Sequence, residues 1–188
     1  MAKIVLEGSG KFYQHYPRVA VIVTVSAGGK KNAMAAAWHS AISHTPPIFG
    51  VSLAPKRYTY KLLTESREFA VNFLSMERAR LIAAVGKISG VEGDKFARFG
   101  IETEEPLKTS APILKDTYAA YECRLIDSRT YGDHVWVVGE IAATHIEEGM
   151  FDSEEVLDLE RVRPAMYLGA DRYTAPSKDD IRTIERGT

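Results

Sequence analysis

The chain has 188 residues, 45% apolar and 26% charged, an ordinary globular composition that fits one domain with its own core and not two. Its 24 basic and 25 acidic residues leave a formal charge of -1, which excludes the cationic excess that holds a nucleic-acid backbone by counterion release. A single cysteine, Cys123, excludes an intrachain disulfide and a CxxC site and fits a reducing cytosol.

Glu7, after Ile4, Val5 and Leu6, interrupts any signal-peptide core. The longest strongly apolar stretch, residues 19–25, falls far short of the roughly 20 residues that cross a bilayer. A cytoplasmic protein with no membrane partner is expected.

Residues 18–26 are rich in β-branched side chains and run into a glycine-lysine turn at 27–31, the pattern of a buried strand entering a hairpin. Residues 32–40, small and aromatic, read as a second strand. Residues 48–53 read as a third, because Pro46 and Pro47 forbid helix just upstream. The period then changes: Tyr60, Leu62 and Leu63 form one apolar side over 57–65, with Thr59 a candidate helix cap. Residues 69–74 return to strand. Residues 77–85 have a helical composition that stops at Gly86.

From 87 to 112 the chain reads as loop, with a short helix at 95–98. Residues 118–129 alternate, with Tyr121, Cys123 and Leu125 on one side and Glu122 and Arg124 on the other. A turn at 131–133 and a strand at 134–145 complete an antiparallel hairpin. Residues 152–163, with five acidic and two basic side chains, read as a solvated helix or loop, and 165–168 as a last strand. Residues 1–174 are expected to form one domain, and 175–188 a loose polar tail. Six or more strands joined mainly by turns, with short helices inserted, predict a mainly β fold, an antiparallel barrel and not a doubly wound sheet.

Several chemical signatures fail. Gly8-Ser9-Gly10-Lys11 lacks the spacing of a phosphate loop, and Phe12 stands where Ser or Thr should hold magnesium. Tyr13 occupies the place of the third glycine of a dinucleotide fingerprint, and no G-x-S-x-G elbow occurs. His39 and His44, five apart, share neither a strand face nor a helix face, so no metal site is expected. Cys123 reads as a small buried apolar residue.

Eight segments in order nevertheless form a pattern: residues 17–24, 32–40, 46–53, 57–60, 68–74, 94–96, 121–123 and 132–140. Over about residues 12–170 the chain resembles the flavin reductase-like family, with flavoredoxins as the nearest branch. The resemblance implies a Greek-key split β-barrel, dimeric and FMN-binding, with the flavin near the subunit interface. It places Asn32, Trp38, Thr59, Lys95, His134 and Tyr167 around the cofactor. It brings in Ala33, Met34, Ala35, Ala36, His39, Ser40, Ser52, Leu53 and Arg57 through the same segments. Met34 departs from the threonine that many relatives carry near the flavin N5, which leaves that contact to a backbone amide or to water.

With the family in view, the residues divide by chemistry. Arg57 and Thr59 stand at the start of a predicted helix, where free N–H groups and the positive dipole end favour a phosphate, with Ser52 nearby; Thr59 as a plain N-cap is the alternative. Asn32 and the small residues 33–37 suit the ring edge, and Trp38 an apolar wall. Lys95 serves either the phosphate or the N1/C2 edge. His134 reaches either the ring or a bound nicotinamide nucleotide. The expected activity is hydride transfer from NADH or NADPH to FMN, with electrons passed to a free flavin or a redox partner protein and no essential catalytic side chain. A flavoredoxin-type carrier without nicotinamide activity and a non-enzymatic ligand-binding barrel are the competing readings.

Overall fold

The structure is a computed structural model that describes residues 2–184. Its strands are β1 (Arg18–Val19), β2 (Val21–Ala27), β3 (Lys30–Ala36), β4 (His39–Ser43), β5 (Ile48–Leu53), β6 (Glu68–Leu74), β7 (Thr103–Glu104), β8 (Ile113–Leu114), β9 (Thr117–Tyr131), β10 (His134–Ile146), β11 (Met166–Gly169) and β12 (Arg172–Thr174). Three short helices interrupt them: α1 (Tyr58–Ser66), α2 (Ala79–Lys87) and α3 (Lys95–Phe99). The fold is mainly β with short helices, as the sequence predicts.

Seven strands form one antiparallel sheet in the order β3-β2-β6-β9-β10-β5-β4. Its two edge strands, β3 and β4, are consecutive in the chain, separated only by Ala37 and Trp38. Three Cα steps reach at most about 11 Å, so the edges must lie side by side and the sheet curls shut. The predicted strand over 32–40 is therefore two strands: its first half pairs with β2 and its second half with β5. The curled interior is filled by Val21, Val23, Phe49, Val51, Phe69, Val71, Val135 and Val137, with Leu62 and Leu63 of α1 packed against them. Gly139 makes room for the central ring, because a Cβ there would lie 2.6 Å from Phe69 Cζ. A second core lies on the other face of β2 and β3, where Ile22 and Ala33 meet Ile82 and Val85 of α2 and Phe96 of α3.

Four features differ from the sequence reading. Gly86 does not end α2, which runs on to Lys87. A Cβ at Gly86 would lie 3.3 Å from Ala35 Cβ, so this glycine lets the helix approach β3. Thr59 is not the N-cap of α1; Arg57 holds that position, and Thr59 is buried in the first turn. The segment 87–112 that reads as loop contains β7, and β8 follows directly after it, both too short to leave a pattern, beside the expected α3. The final strand is a hairpin of β11 and β12, β11 pairing also with β1. Of the polar tail, residues 175–184 are described, with one turn of 3-10 helix at Lys178–Asp180; 185–188 lie outside the described residues.

Glu122 shares the side of β9 with Arg124, yet it is completely buried. Its carboxylate accepts hydrogen bonds from the amides of Leu107, Lys108 and Thr109 at 2.7–2.8 Å, from Thr109 Oγ1 at 2.9 Å, and from His145 Nε2 at 2.7 Å. Burial pushes the carboxyl up, but these donors outweigh it and hold it at about 2. The loop entering β8 is thus pinned to the barrel through one side chain. Asn72 does the same further on, accepting from Leu114 N while donating to Ile22 O.

Glu122→Gln places an amide N–H against backbone donors and is expected to cost about 2–4 kcal/mol of stability near neutral pH, read from urea unfolding. Because the folded carboxyl titrates below its unfolded counterpart, its contribution is complete above about 4.5 and fades as pH falls towards about 2. The gap between wild type and Glu122→Gln should therefore narrow on acidification, and a pH-independent gap would contradict the network.

Candidate functional site

Strand β3 has a sheet neighbour on one side only. Along it, Asn32 and Met34 point towards the barrel and α1, while Ala33 and Ala35 point towards α2. Backbone groups alternate as well: in an antiparallel pair, every second residue directs both N–H and C=O away from its neighbour. Ala33 is such a residue, since its carbonyl accepts from Lys95 Nζ at 2.8 Å. By the same alternation Ala35 offers its amide and carbonyl to the open side.

Two adjoining cavities lie along this edge and share Arg57 and Gly86. The first, of about 180 Å³, is lined by Lys56, Arg57 and Lys95, by Asn32, Thr59 and Ser89, and by no carboxylate. The N-terminus of α1 opens here: the first intrahelical bond is donated by Tyr60 N to Arg57 O, and the amides of Tyr58 and Thr59 have no acceptor within the helix. Buried Asn32 donates from Nδ2 to Thr59 Oγ1 at 2.8 Å. That bond fixes the amide and leaves Oδ1 buried without a partner, an unmet acceptor of the kind a ligand O–H or N–H would satisfy. Gly90 crowds the same atom, since a Cβ there would lie 2.3 Å from Oδ1.

Lys95 is itself buried. Its Nζ bonds Ala33 O and, at 2.7 Å, Val85 O in the last turn of α2, where the helix dipole is negative. Desolvation, reinforced by Arg57, lowers its ammonium to about 8. The cavity therefore gains a third cation below that pH and loses it above.

The second cavity, of about 310 Å³, is apolar along residues 35–37 and is walled by Ala83, Tyr167 and Tyr173. It suits a flat group resting against the strand edge.

Of the residues expected from the sequence, Asn32, Met34, Ala35, Ala36, Arg57, Thr59, Lys95 and Tyr167 line these two cavities, and Ala33 takes part through its carbonyl. Trp38, Ser52 and His134 come together elsewhere, in a separate cavity, so Ser52 does not join Arg57 and Thr59. Leu53 is core at 1% exposure. His39 is structural: Nε2 lies 2.8 Å from Val19 O, its ring stacks on Phe49, and burial lowers its pKa. Ser40 is exposed and bonds Ala41 O. The sequence reading missed Lys56, Ser89, Gly90 and Tyr173. Only Ser89 leaves a trace in the sequence, as a capping box with Glu92.

The sequence profile of the flavin reductase like domain matches residues 13–175. The chain belongs to the flavin reductase-like family. An uncharacterized protein of Aeropyrum pernix is 35% identical over 162 residues, 86% of this chain and 61% of that protein, so the match spans less than two thirds of that relative. Among solved structures, an FMN-binding protein from Thermus thermophilus with bound 1-cyclohex-2-enone superposes at TM-score 0.83 with 33% identity, covering 97% of this chain and 98% of that one. Flavoredoxin of Desulfovibrio vulgaris (Miyazaki F) superposes at 0.86 with 26% identity over 100% of both chains. The split barrel expected from the sequence is the fold of this family member.

Thr59→Val in this flavin reductase-like chain keeps the shape of the buried side chain but strands Asn32 Nδ2. A loss of about 1–3 kcal/mol in urea unfolding is expected; an unchanged midpoint would show that the bond does not anchor Asn32.

Proposed function

We propose that this chain binds FMN along the β3 edge and acts as an NAD(P)H-dependent oxidoreductase, passing electrons to a free flavin or a protein acceptor. The observation that carries the reading is the division of the cleft: cations and free helix amides without a carboxylate at one end, small residues and tyrosines with the paired Lys87 and Asp171 at the other. FMN has the same division, a dianionic phosphate at one end and a flat ring at the other. Lys56, Arg57 and the first-turn amides of α1 would hold the phosphate. The unmet Asn32 acceptor suits a ribityl hydroxyl, and Ala35 with Tyr167 and Tyr173 would hold the ring. The names of the Thermus and Desulfovibrio neighbours support the same cofactor.

Bound FMN would supply the hydride acceptor; the protein's share is to orient the ring and set the charge around it. No side chain in the cleft is assigned proton transfer. Cys123 takes no part, for burial pushes its thiol up to about 12. A flavoredoxin-type carrier is the second reading, favoured by the overall similarity to Desulfovibrio flavoredoxin. A homodimer is part of the proposal, with Ile42, Ile126, Tyr131 and Ile146, exposed at 47–62% on β4, β9 and β10, available to an interface. Among the described residues no helix is long and apolar enough to cross a membrane, and we place the protein in the cytoplasm.

Anaerobic mixing of FMN-loaded protein with NADH and with NADPH should bleach the flavin; colour that persists with both would leave the carrier reading. Arg57→Ala should weaken FMN binding about tenfold or more, while Cys123→Ala leaves it unchanged. FMN affinity should fall as pH rises through about 8, where Lys95 loses its charge. A flat profile in equilibrium dialysis would remove Lys95 from the anion site.

A further inference from the structure

Lys95 is buried at 2% exposure, and its Nζ donates to Ala33 O at 2.8 Å and to Val85 O at 2.7 Å. Among the described residues Nζ has no further hydrogen-bond partner and no carboxylate within 4.0 Å. An ammonium has three donors, so the two carbonyls leave one unmatched. A neutral amine has two N–H groups and a lone pair. In the same place both N–H groups keep their carbonyls, and the lone pair takes the remaining tetrahedral position. The site therefore satisfies the free amine more fully than the ammonium. Burial and then Arg57 act in the same direction, against a smaller opposite pull from Glu92, and lower the ammonium to about 8. About a tenth of the molecules then carry the free amine at pH 7, far more than for an ordinary lysine.

The surroundings select the electrophile. A buried amine beside other cations is the setting in which lysine forms imines with carbonyl compounds. Lys56 and Arg57 line the cavity together with Lys95, and no carboxylate of the lining competes for them, so the carbonyl compound that is drawn in carries an anionic group. Asn32 Oδ1, in the same lining, is a buried acceptor without a partner and suits the O–H that an aldehyde acquires when an amine adds to it. The adjoining cavity shares Arg57 and Gly86 and gives a flat group room against residues 35–37, Tyr167 and Tyr173.

We propose that Lys95 is a covalent modification site for small phosphorylated aldehydes built on a flat ring, the phosphate taken by Lys56 and Arg57 and the aldehyde by Nζ. The nitrogen lone pair attacks the aldehyde carbon, and a proton passes from nitrogen to oxygen to give a carbinolamine. Loss of water then leaves an imine, with no oxidant or reductant consumed. The protonated imine keeps one N–H, so one of the two carbonyls, Ala33 O or Val85 O, loses its donor. The inference rests on the chemistry of the cavity and not on the flavin, which would compete for the same cations.

Pyridoxal 5′-phosphate is the probe, since its aldehyde and its phosphate arm stand on neighbouring ring carbons and both reach one small cavity; pyridoxal is the same aldehyde without the phosphate. The flavin-free full chain is incubated with each, the imine is reduced with borohydride to a stable secondary amine, and the peptides are mapped by mass spectrometry. Lys95 should be labelled ahead of the chain's other lysines, Lys56 included, and half-labelling should need about tenfold less of the phosphate ester than of pyridoxal. Lys95→Arg keeps the charge but offers no imine-forming amine, and should abolish the imine absorbance at the probe concentration that half-labels wild type. Labelling of Lys56 or of exposed lysines while Lys95 stays unmodified, equal labelling by pyridoxal, or an undiminished imine band in Lys95→Arg would each overturn the proposal. The wild-type map decides even if Lys95→Arg does not fold. Protection of Lys95 by added FMN reports on the cofactor reading alone.

Discussion

The two edges of one antiparallel sheet are joined by Ala37 and Trp38, and a connection that short forces β3 and β4 to lie together. An open seven-stranded sheet would expose two edges and one apolar face. Closure buries that face around Phe69 and Val71 and turns the edges into a seam. The seam is not zipped by a continuous ladder, because the two strands pair with β2 and β5 and not with each other. One row of β3 backbone groups is therefore left to helices, to a lysine and to a ligand.

What covers that row explains its chemistry. Neither α1 nor α2 can extend the ladder, so Ala33 O is satisfied by Lys95. Burying an ammonium is costly unless its donors are used, and here two carbonyls use them, one of them Val85 O at the negative end of α2. The lowered pKa is the residual cost of that burial. It also places a titratable charge beside Arg57, in a cavity lined by no carboxylate, with Glu92 outside the lining offsetting the lowering only in part. A structural tie between helix and strand and an anion-attracting charge are thus the same atom. Removing Lys95 would loosen the strand edge as well as the cavity, so a loss of ligand affinity on its mutation could not by itself separate the two roles; the pH profile can.

Much of this architecture is legible in the sequence because its strands are long and their side chains take sides. Residues 21–25 announce themselves by a β-branched run into a turn, 48–53 by an apolar run after two prolines, and the β9–β10 hairpin by its turn at Gly132 and Asp133. What is not legible depends on partners far along the chain. Glu122 reads as an ordinary alternating polar residue because its three backbone donors lie 13–15 residues upstream in a loop. Gly86 reads as a helix stop because nothing local reveals its contact with Ala35. The strand over 32–40 reads as one piece because the change of partner at Ala37 leaves no mark on composition. Of the site, Asn32, Arg57, Thr59 and Lys95 are legible through the family resemblance and not through periodicity.

The departure at Met34 follows from the same geometry. Its side chain packs into the barrel core at 9% exposure and touches the cationic cavity only at its lining. The groups of β3 turned towards the cleft are main-chain atoms of Ala33 and Ala35, whose positions are set by pairing with Ile22 and Thr24. A ligand gripped by backbone is insensitive to side-chain identity along the strand, provided the residues stay small enough to let it approach. Ala35, Ala36 and Ala37 meet that condition, and a threonine two residues after Asn32 is not needed for it. What the methionine does change is polarity, since it places no hydroxyl on the strand; beside it, Asn32 Oδ1 is a buried acceptor without a partner. That acceptor is held in place by Thr59, whatever side chain stands at position 34.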